Sequence, residues 1–318
     1  MIELPQRPLG ASNLEVSALA IGSWRTYERI PRERGLAVMT AAREAGITFL
    51  DDARYDDETG TAPIPTGYSE VVFGELFRAA GWARDDVVVS NKLWWELWPE
   101  QTAAEELDAS LARMGFDHID LVYAERLPDS LTVEEAVASV IALIDSGKAR
   151  AWGVLNWRPE AIAEATRAAT AAGKPSPCAA QLPYSLAQPD VVEDPAMSAA
   201  LDGAGAAVVA SFALAGGALT GKYSKDRAHG RLAGRLDEPR WRKALEVGER
   251  LRRLASELGT SPCRLALAFA LANRRVASVL FGATTPEQVA ENVGALELFD
   301  RLDASDLADL RALGASHA

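Results

Sequence analysis

The sequence predicts an α/β protein built as a (β/α)8, or TIM, barrel with an N-terminal β-hairpin cap. Three observations lead to this fold. Helical and strand patterns alternate along the 318 residues, and eight strands can be counted, each followed by a helix. Short apolar runs repeatedly end, on their downstream side, in a polar residue that a packed core would not choose: residues 48–50 run into Asp51, 87–91 into Lys92, 120–124 into Glu125, 152–155 into Asn156 and 178–180 into Gln181. In a closed parallel barrel all strand ends point to one face, where chemistry sits. No early Gly-rich phosphate loop follows the first strand, as a doubly wound sheet would require.

The elements follow in order. Residues 7–22 read as two short strands around an AlaSerAsn turn, followed by a third run ending at Gly22. Helical and strand periodicities then alternate: helix 32–45, strand 47–51, helix 69–80, strand 86–91, helix 100–114 and strand 118–124. Next come helix 132–146, strand 150–155, helix 159–172, strand 178–182, helix 195–204 and strand 206–212. Helices 240–258 and 262–273, strand 276–281, helix 286–297 and a closing helix from about residue 304 complete the chain. A single domain over residues 1–318 is expected, a usual size for one such barrel.

Two long loops interrupt the pattern. Residues 56–68, rich in Gly and Pro, lie beside the Asp51 strand end and are expected to wall a pocket. Residues 215–239 carry Lys222, Lys225, Arg227, Arg231 and Arg235. They read either as a flap over a phosphate-bearing ligand or as a solvated loop.

Bulk properties narrow the function. A formal charge of −12 and a pI near 4.9 oppose binding to a nucleic-acid backbone. No apolar stretch approaches the roughly 20 residues needed to cross a bilayer, and the first residues lack a secretory pattern, so a cytoplasmic protein acting on a small molecule is expected. Cys178 and Cys263 lie in apolar contexts and read as small buried hydrophobes. None of His118, His229 and His317 has ligand spacing with another His or Cys, so no metal site is expected.

The chain resembles the aldo-keto reductase family over essentially its whole length. The stretches that carry the resemblance are PheLeuAspAspAla at 49–53 with Tyr55, TyrSerGluValValPheGly at 68–74, AspValValValSerAsnLys ending at 92, and HisIleAspLeuValTyrAlaGluArg at 118–126. Further matches are SerGlyLysAlaArgAlaTrpGlyValLeuAsn ending at 156, AlaGlnLeuProTyrSer from 180, LeuAlaGlyGlyAlaLeuThrGlyLysTyr ending at 223, and PheGlyAlaThrThrProGluGlnValAlaGluAsn ending at 292. The last segment is most similar to the branch holding potassium-channel β-subunits and their bacterial relatives, which includes both reductases and regulatory subunits.

The resemblance implies hydride transfer from a nicotinamide, with Asp51, Tyr55 and Lys92 in the places of the family's catalytic Asp, Tyr and Lys. A phenol of pKa about 10 is a poor acid at neutral pH, and a nearby ammonium lowers that pKa by favouring phenolate. Tyr55 stands one residue closer to the Asp than the family's Tyr, and Tyr68 is its rival. Glu125 stands where the family usually has His, a replacement shared with steroid 5β-reductases, which reduce a conjugated C=C bond. Protonated, Glu125 would donate a hydrogen bond to a substrate oxygen; ionised, it would oppose phenolate and bind a cationic amine or pair with Arg126. A salt bridge with no reacting role is the third reading.

For the cofactor, Asn156 and Gln181 match the pair holding the nicotinamide carboxamide, with Leu155 replacing the usual Ser. Ser211 takes the place of the stacking aromatic, and the adjacent Phe212 is left to face inward instead. Leu214, Gly216 and Lys222 fall in the phosphate-side loop, and Gly282, Ala283, Thr284, Gln288, Glu291 and Asn292 match the adenosine end. A helix N-terminus at 284–286 would favour phosphate there. NADPH/NADP+ is favoured, with NADH as the alternative. Trp24, Trp94 and Trp95 are expected to form a substrate wall, with loop packing as the competing reading for the last two. The rival function is a non-catalytic NADP(H)-binding redox sensor or regulatory subunit.

Overall fold

The structure, a computed structural model, describes residues 4–224 and 230–314. Strands β1 (Gln6–Pro8) and β2 (Glu15–Ser17) pair antiparallel as the expected hairpin. Eight further strands pair in parallel and close on themselves: β3 (Leu19–Gly22), β4 (Phe49–Asp51), β5 (Val88–Leu93), β6 (Ile119–Ala124), β7 (Ala149–Leu155), β8 (Ala179–Pro183), β9 (Ala207–Ser211) and β10 (Val276–Phe281), which returns to β3. The sheet is thus a (β/α)8 barrel. Its outer layer is α1 (Arg32–Glu44), α2 (Tyr68–Ala79), α3 (Ala103–Met114), α4 (Val133–Asp145), α5 (Pro159–Ala171), α6 (Asp190–Glu193) and α7 (Pro195–Ala204). It continues with α8 (Pro239–Glu257), α9 (Pro262–Leu271), α10 (Pro286–Val293), α11 (Ala295–Phe299) and α12 (Ala304–Gly314).

Local sequence explains where the helices start. Thr102 with Glu105 and Thr132 with Glu135 form reciprocal capping boxes, while Asp194, Ser261 and Thr285 cap α7, α9 and α10 with a Pro at the first helical position. The helix expected over 286–297 is divided at Gly294, and the Arg264 guanidinium lies against that backbone, where a Cβ would come within 2.5 Å of Arg264 Cζ. That packing joins residues 30 positions apart and leaves no local signature.

The alternation of strand side chains separates two cores. Leu50, Val89, Val122, Val154 and Leu182 face the helices, whereas Phe49, Val88, Leu121, Ala151, Ala179 and Val209 face the barrel axis. Leu9, Leu14 and Val16 of the hairpin join the axial cluster and close its N-terminal end. Gly153 is a packing requirement, since a Cβ there would stand 3.0 Å from the Tyr123 ring and 2.5 Å from the carbonyl of Ala179. With one end closed, the other is left for the strand-end polar residues.

Among the described residues no helix is long and apolar enough to cross a membrane. Cys178 and Cys263 are both buried and free.

Candidate active site

Strand parity brings the polar residues together. Two steps on from Phe49 and Val88 the axis-facing positions are Asp51 and Ser90, which are register partners across β4 and β5, and one step further along β5 in the same parity lies Lys92. Lys92 Nζ is 2.8 Å from Asp51 Oδ2, with both side chains at most 3% exposed. The other Asp51 oxygen accepts from Ser90 Oγ at 2.7 Å and from Gln181 Nε2 at 3.0 Å. Lys92 Nζ also donates to the Asp52 carbonyl at 3.3 Å and lies 3.2 Å from Tyr55 Oη. A polar chain therefore runs from Gln181 and Ser90 through Asp51 and Lys92 to a phenol.

The short Asp51-to-Tyr55 spacing is accommodated by the following loop. Gly67 donates its N–H to the Tyr55 carbonyl at 2.9 Å, and Ser69 bridges the Ala53 carbonyl at 2.7 Å and the Tyr55 N–H at 3.4 Å. These contacts fix the backbone that aims Oη at Lys92. Tyr68 is placed elsewhere, its hydroxyl accepting from Arg32 at 2.8 Å between α1 and α2. The 56–68 loop folds back through a bridge between Asp56 and Thr66, and Glu58 pairs with Arg25 and Arg29 beyond β3, so it does wall one side of the mouth.

The electrostatics refine the expectation for the phenol. Burial raises the Tyr55 pKa, Lys92 pulls it down, and Asp51 and Asp52 push it up again, leaving it above the usual tyrosine value. Burial would lower the Lys92 pKa, but Asp51 and Tyr55 together raise it, so the ammonium stays charged. The ammonium alone does not make Tyr55 a stronger acid than free tyrosine. Asp52 explains part of this: it is fully buried, accepts from Ser23 Oγ, has no partner for Oδ2, and its pKa is held well up by burial and by Glu70.

Glu125 follows β6, half-buried, with its pKa raised by burial against the lowering effects of the Asn156 side chain, of its backbone partner and of Lys92 and Arg126. No ion pair joins it to Arg126 among the described residues. Asn156, at φ 58°, stands exposed at the mouth and is engaged with Glu125, while Gln181, 3% exposed, gives its amide to Asp51. The two expected carboxamide residues thus lie at different depths.

Around the rim, Phe212 does not turn inward. It is 41% exposed, at φ 53°, with its ring 5.4 Å from that of Trp24. Ser211 is buried beneath it, its carbonyl taken by the Tyr184 N–H at 3.0 Å. Leu214 and Gly216 lie in the turn after β9, where the Gly216 carbonyl accepts from Tyr223 Oη at 3.2 Å, and Lys222 sits 4.9 Å over the Tyr223 ring. Lys225, Arg227 and His229 lie outside the described residues, as does His317. Arg231 returns across the mouth, donating to the Trp24 carbonyl at 2.9 Å with its guanidinium 4.9 Å from the Trp24 ring. It borders Gly282, where a Cβ would come within 3.2 Å of Arg231.

At the expected adenosine end the helix N-terminus is capped by Thr285, whose Oγ1 accepts the Gln288 N–H at 3.4 Å, while Gln288 Oε1 accepts the Thr284 N–H at 2.8 Å just before the helix. Glu291 pairs with Arg264 at 3.3 Å, and Asn292 is buried with Oδ1 accepting from the Cys263 thiol at 2.9 Å. Trp94 stands by the phenol, its ring 5.9 Å from Tyr55. Trp95 corrects the expectation of a wall: it is 3% exposed and packs edge-on against Trp98. Among the described residues no cluster of three His, Cys, Asp or Glu side chains could hold a metal.

Sequence reasoning missed Ser90, Ser69, Ser23 and Asp52. Ser90 could have been found, since it shares strand parity with Lys92; the others are reached only by chain crossing. Among the described residues, every non-Gly residue with positive φ lies just beyond a strand end on this face: Arg25 after β3, Trp95 after β5, Asn156 after β7, and Phe212 and Ala215 after β9. Left-handed backbone at such residues is strained and gathers at functional sites.

Comparisons agree with this geometry. The Aldo/keto reductase family profile matches residues 18–315. A protein of Oryza sativa subsp. japonica described as a probable voltage-gated potassium channel subunit beta is 34% identical, covering 92% of each chain. The corresponding putative subunit of Schizosaccharomyces pombe is 33% identical over 94% of this chain and 90% of its own, and that of Arabidopsis thaliana 30% over 92% of each. The chain belongs to the aldo/keto reductase family.

Proposed function

We propose that this chain, working as one barrel unit, is an oxidoreductase that uses a reduced nicotinamide, NADPH in preference to NADH, to reduce a carbonyl or an activated C=C or C=N group. The reading rests on one observation: Lys92 Nζ bridges Asp51 at 2.8 Å and Tyr55 Oη at 3.2 Å, buried at the open end of the barrel. Tyr55 supplies the proton to the reduced substrate, and Lys92 stabilises the phenolate left behind. Asp51, held by Ser90 and Gln181, keeps the ammonium charged and aimed. Glu125, with its raised pKa, donates from its protonated carboxyl to the substrate heteroatom beside Tyr55.

The residues present fit a dinucleotide. An aromatic ring exposed at the mouth, an outward side-chain amide, a glycine with room only for backbone, and a guanidinium without a carboxylate partner among the described residues give a stacking surface, a donor–acceptor pair and an anion site. Phe212, Asn156, Gly282 and Arg231 would hold it, and Arg231 with Lys222 supports the preference for the phosphorylated form. When bound, the nicotinamide supplies the hydride.

The test is loss of reduced-nicotinamide absorbance with a panel of aldehydes, ketones, enones and imines. Turnover that disappears in Lys92→Met and Tyr55→Phe is expected. The second reading, a regulatory subunit that binds NADPH without turning it over, is supported by the descriptions of the relatives as channel β-subunits. Tight binding of NADPH with no turnover across the panel would establish it.

A further inference from the structure

Beside the candidate active site, and separate from it, lies a second cleft of about 680 Å3 between the loop after β6 and the start of α5. This volume falls within the roughly 300–1,000 Å3 typical of small-molecule sites. Leu127, Pro128, Val133 and Ala161 make its partly exposed apolar walls over the buried Leu131 and Trp157, and Arg126 and Arg158 contribute guanidinium groups, with Asp129 as the opposing carboxylate. Neither arginine is ion-paired among the described residues, although the chain carries 45 carboxylates to 33 basic side chains. Trp157 is fixed by donating its indole N–H to the Glu125 carbonyl at 2.8 Å, so this floor is preformed. No side chain caps the N-terminus of α5, which begins with Arg158 and Pro159, and Ala161 of its first turn also lines the cleft.

From the two guanidinium groups over an apolar floor, we infer that this cleft binds an organic anion with a flat apolar body, of the arylcarboxylate class. The carboxylate would lie between Arg126 and Arg158, where planar forks suit two oxygens, and the ring would lie against Leu127 and Val133. Asp129 disfavours a second negative charge, which selects a monoanion over inorganic phosphate. The assignment does not depend on the redox chemistry proposed above, because none of Asp51, Tyr55 and Lys92 lines the cleft.

The probe is benzoate, with benzamide as its neutral isostere and inorganic phosphate as the bare anion, titrated against the full chain by calorimetry and ligand-observed NMR. Benzoate is expected to bind at least about ten-fold more tightly than either control, since charge-assisted hydrogen bonds are the stronger kind. Arg126→Gln with Arg158→Gln should lower its affinity about ten-fold or more, while Tyr55→Phe and Lys92→Met leave it unchanged. Equal binding of benzamide, binding insensitive to the arginine substitutions, loss of binding in Lys92→Met, or no benzoate binding at millimolar concentration would each overturn the assignment. If benzoate raises KM for the carbonyl substrate alone, the anion is a group on the substrate; if it changes kcat alone, the anion is an effector. Either result supports the assignment when it disappears in the Arg126→Gln, Arg158→Gln variant, and an effect that survives there overturns it.

Discussion

Substituting Lys92 by Met tests the physical core of the site independently of any substrate. Met keeps most of the apolar stem and removes the ammonium, so packing changes little and the main effect is electrostatic. Asp51 would keep its bonds from Ser90 and Gln181 but lose its countercharge at 2% exposure. Removing one partner of a buried ion pair typically destabilises by about 3–5 kcal/mol. The two surviving donors place the expectation at the lower end, about 3 kcal/mol, which for a chain of this size is a fall in Tm of roughly 4–5 °C. Asp51→Asn with Lys92→Met removes both charges and should recover about 2 kcal/mol relative to the sum of the single effects. Urea unfolding followed by far-UV circular dichroism, analysed as a double-mutant cycle, measures this directly. If Lys92→Met stays within about 1 kcal/mol of the parent, or the cycle closes with no coupling, the pair does not hold the site as argued.

Tyr55→Phe should reduce turnover by about 10²–10⁴-fold, while Tyr68→Phe, which loses only a bond to Arg32, stays within about two-fold; the reverse pattern would exchange their roles. Asp52 has a raised pKa in the folded state, so the folded chain binds the extra proton between the unfolded and folded values. Its contribution to stability is therefore present below the unfolded pKa and lost as pH rises through the folded one. Asp52→Asn should flatten the fall in urea midpoint as pH rises above the ordinary carboxylate range, and an unchanged slope would count against a buried protonated carboxyl. Because Glu125 also has a raised pKa and acts protonated, turnover should decline as pH rises through that pKa. Glu125→Gln should remove that limb, and identical profiles for parent and variant would exclude Glu125 as the donor. Phe212→Ala should weaken NADPH binding, read by fluorescence titration, with little change in thermal stability because the ring is 41% exposed.

The barrel was legible because two local rules coincide in this chain: apolar runs of strand length, and cap signals such as Thr102 with Glu105 that mark helix starts. Boundaries shifted at Gly294, beneath Arg264, and at α6, which has no periodicity of its own. At the site, parity along a strand made Asp51, Lys92 and Gln181 readable as one axial set, and the same rule covers Ser90. Residues that arrive from other parts of the chain were not readable. Arg231 reaches Trp24 across 207 positions, and Ser23 meets Asp52 one position beyond the Gly22–Asp51 pair of the neighbouring parallel strands β3 and β4. Charge states were equally hidden, because burial outweighs neighbouring charges at Tyr55 and Glu125, and burial is a property of the fold.

That last point changes how Glu125 and Asn156 are to be understood. Read along the chain they are separate assignments, one to substrate and one to cofactor, yet Asn156 acts on the Glu125 carboxyl, lowering its pKa against the effect of burial, and Trp157 holds the Glu125 backbone carbonyl. A neutral Glu125 carboxyl can donate to a substrate heteroatom and still accept from the Asn156 amide, whereas an ionised one would hold that amide more tightly, away from any bound carboxamide. On the roles proposed for the two residues, protonation of Glu125 would serve both functions together: it would provide a donor to the substrate and loosen Asn156 for the cofactor. The consequence is that Asn156→Asp, which sets a second carboxylate against the first, should weaken NADPH binding, read by fluorescence titration, while holding Glu125 protonated and so moving the alkaline fall in turnover to higher pH.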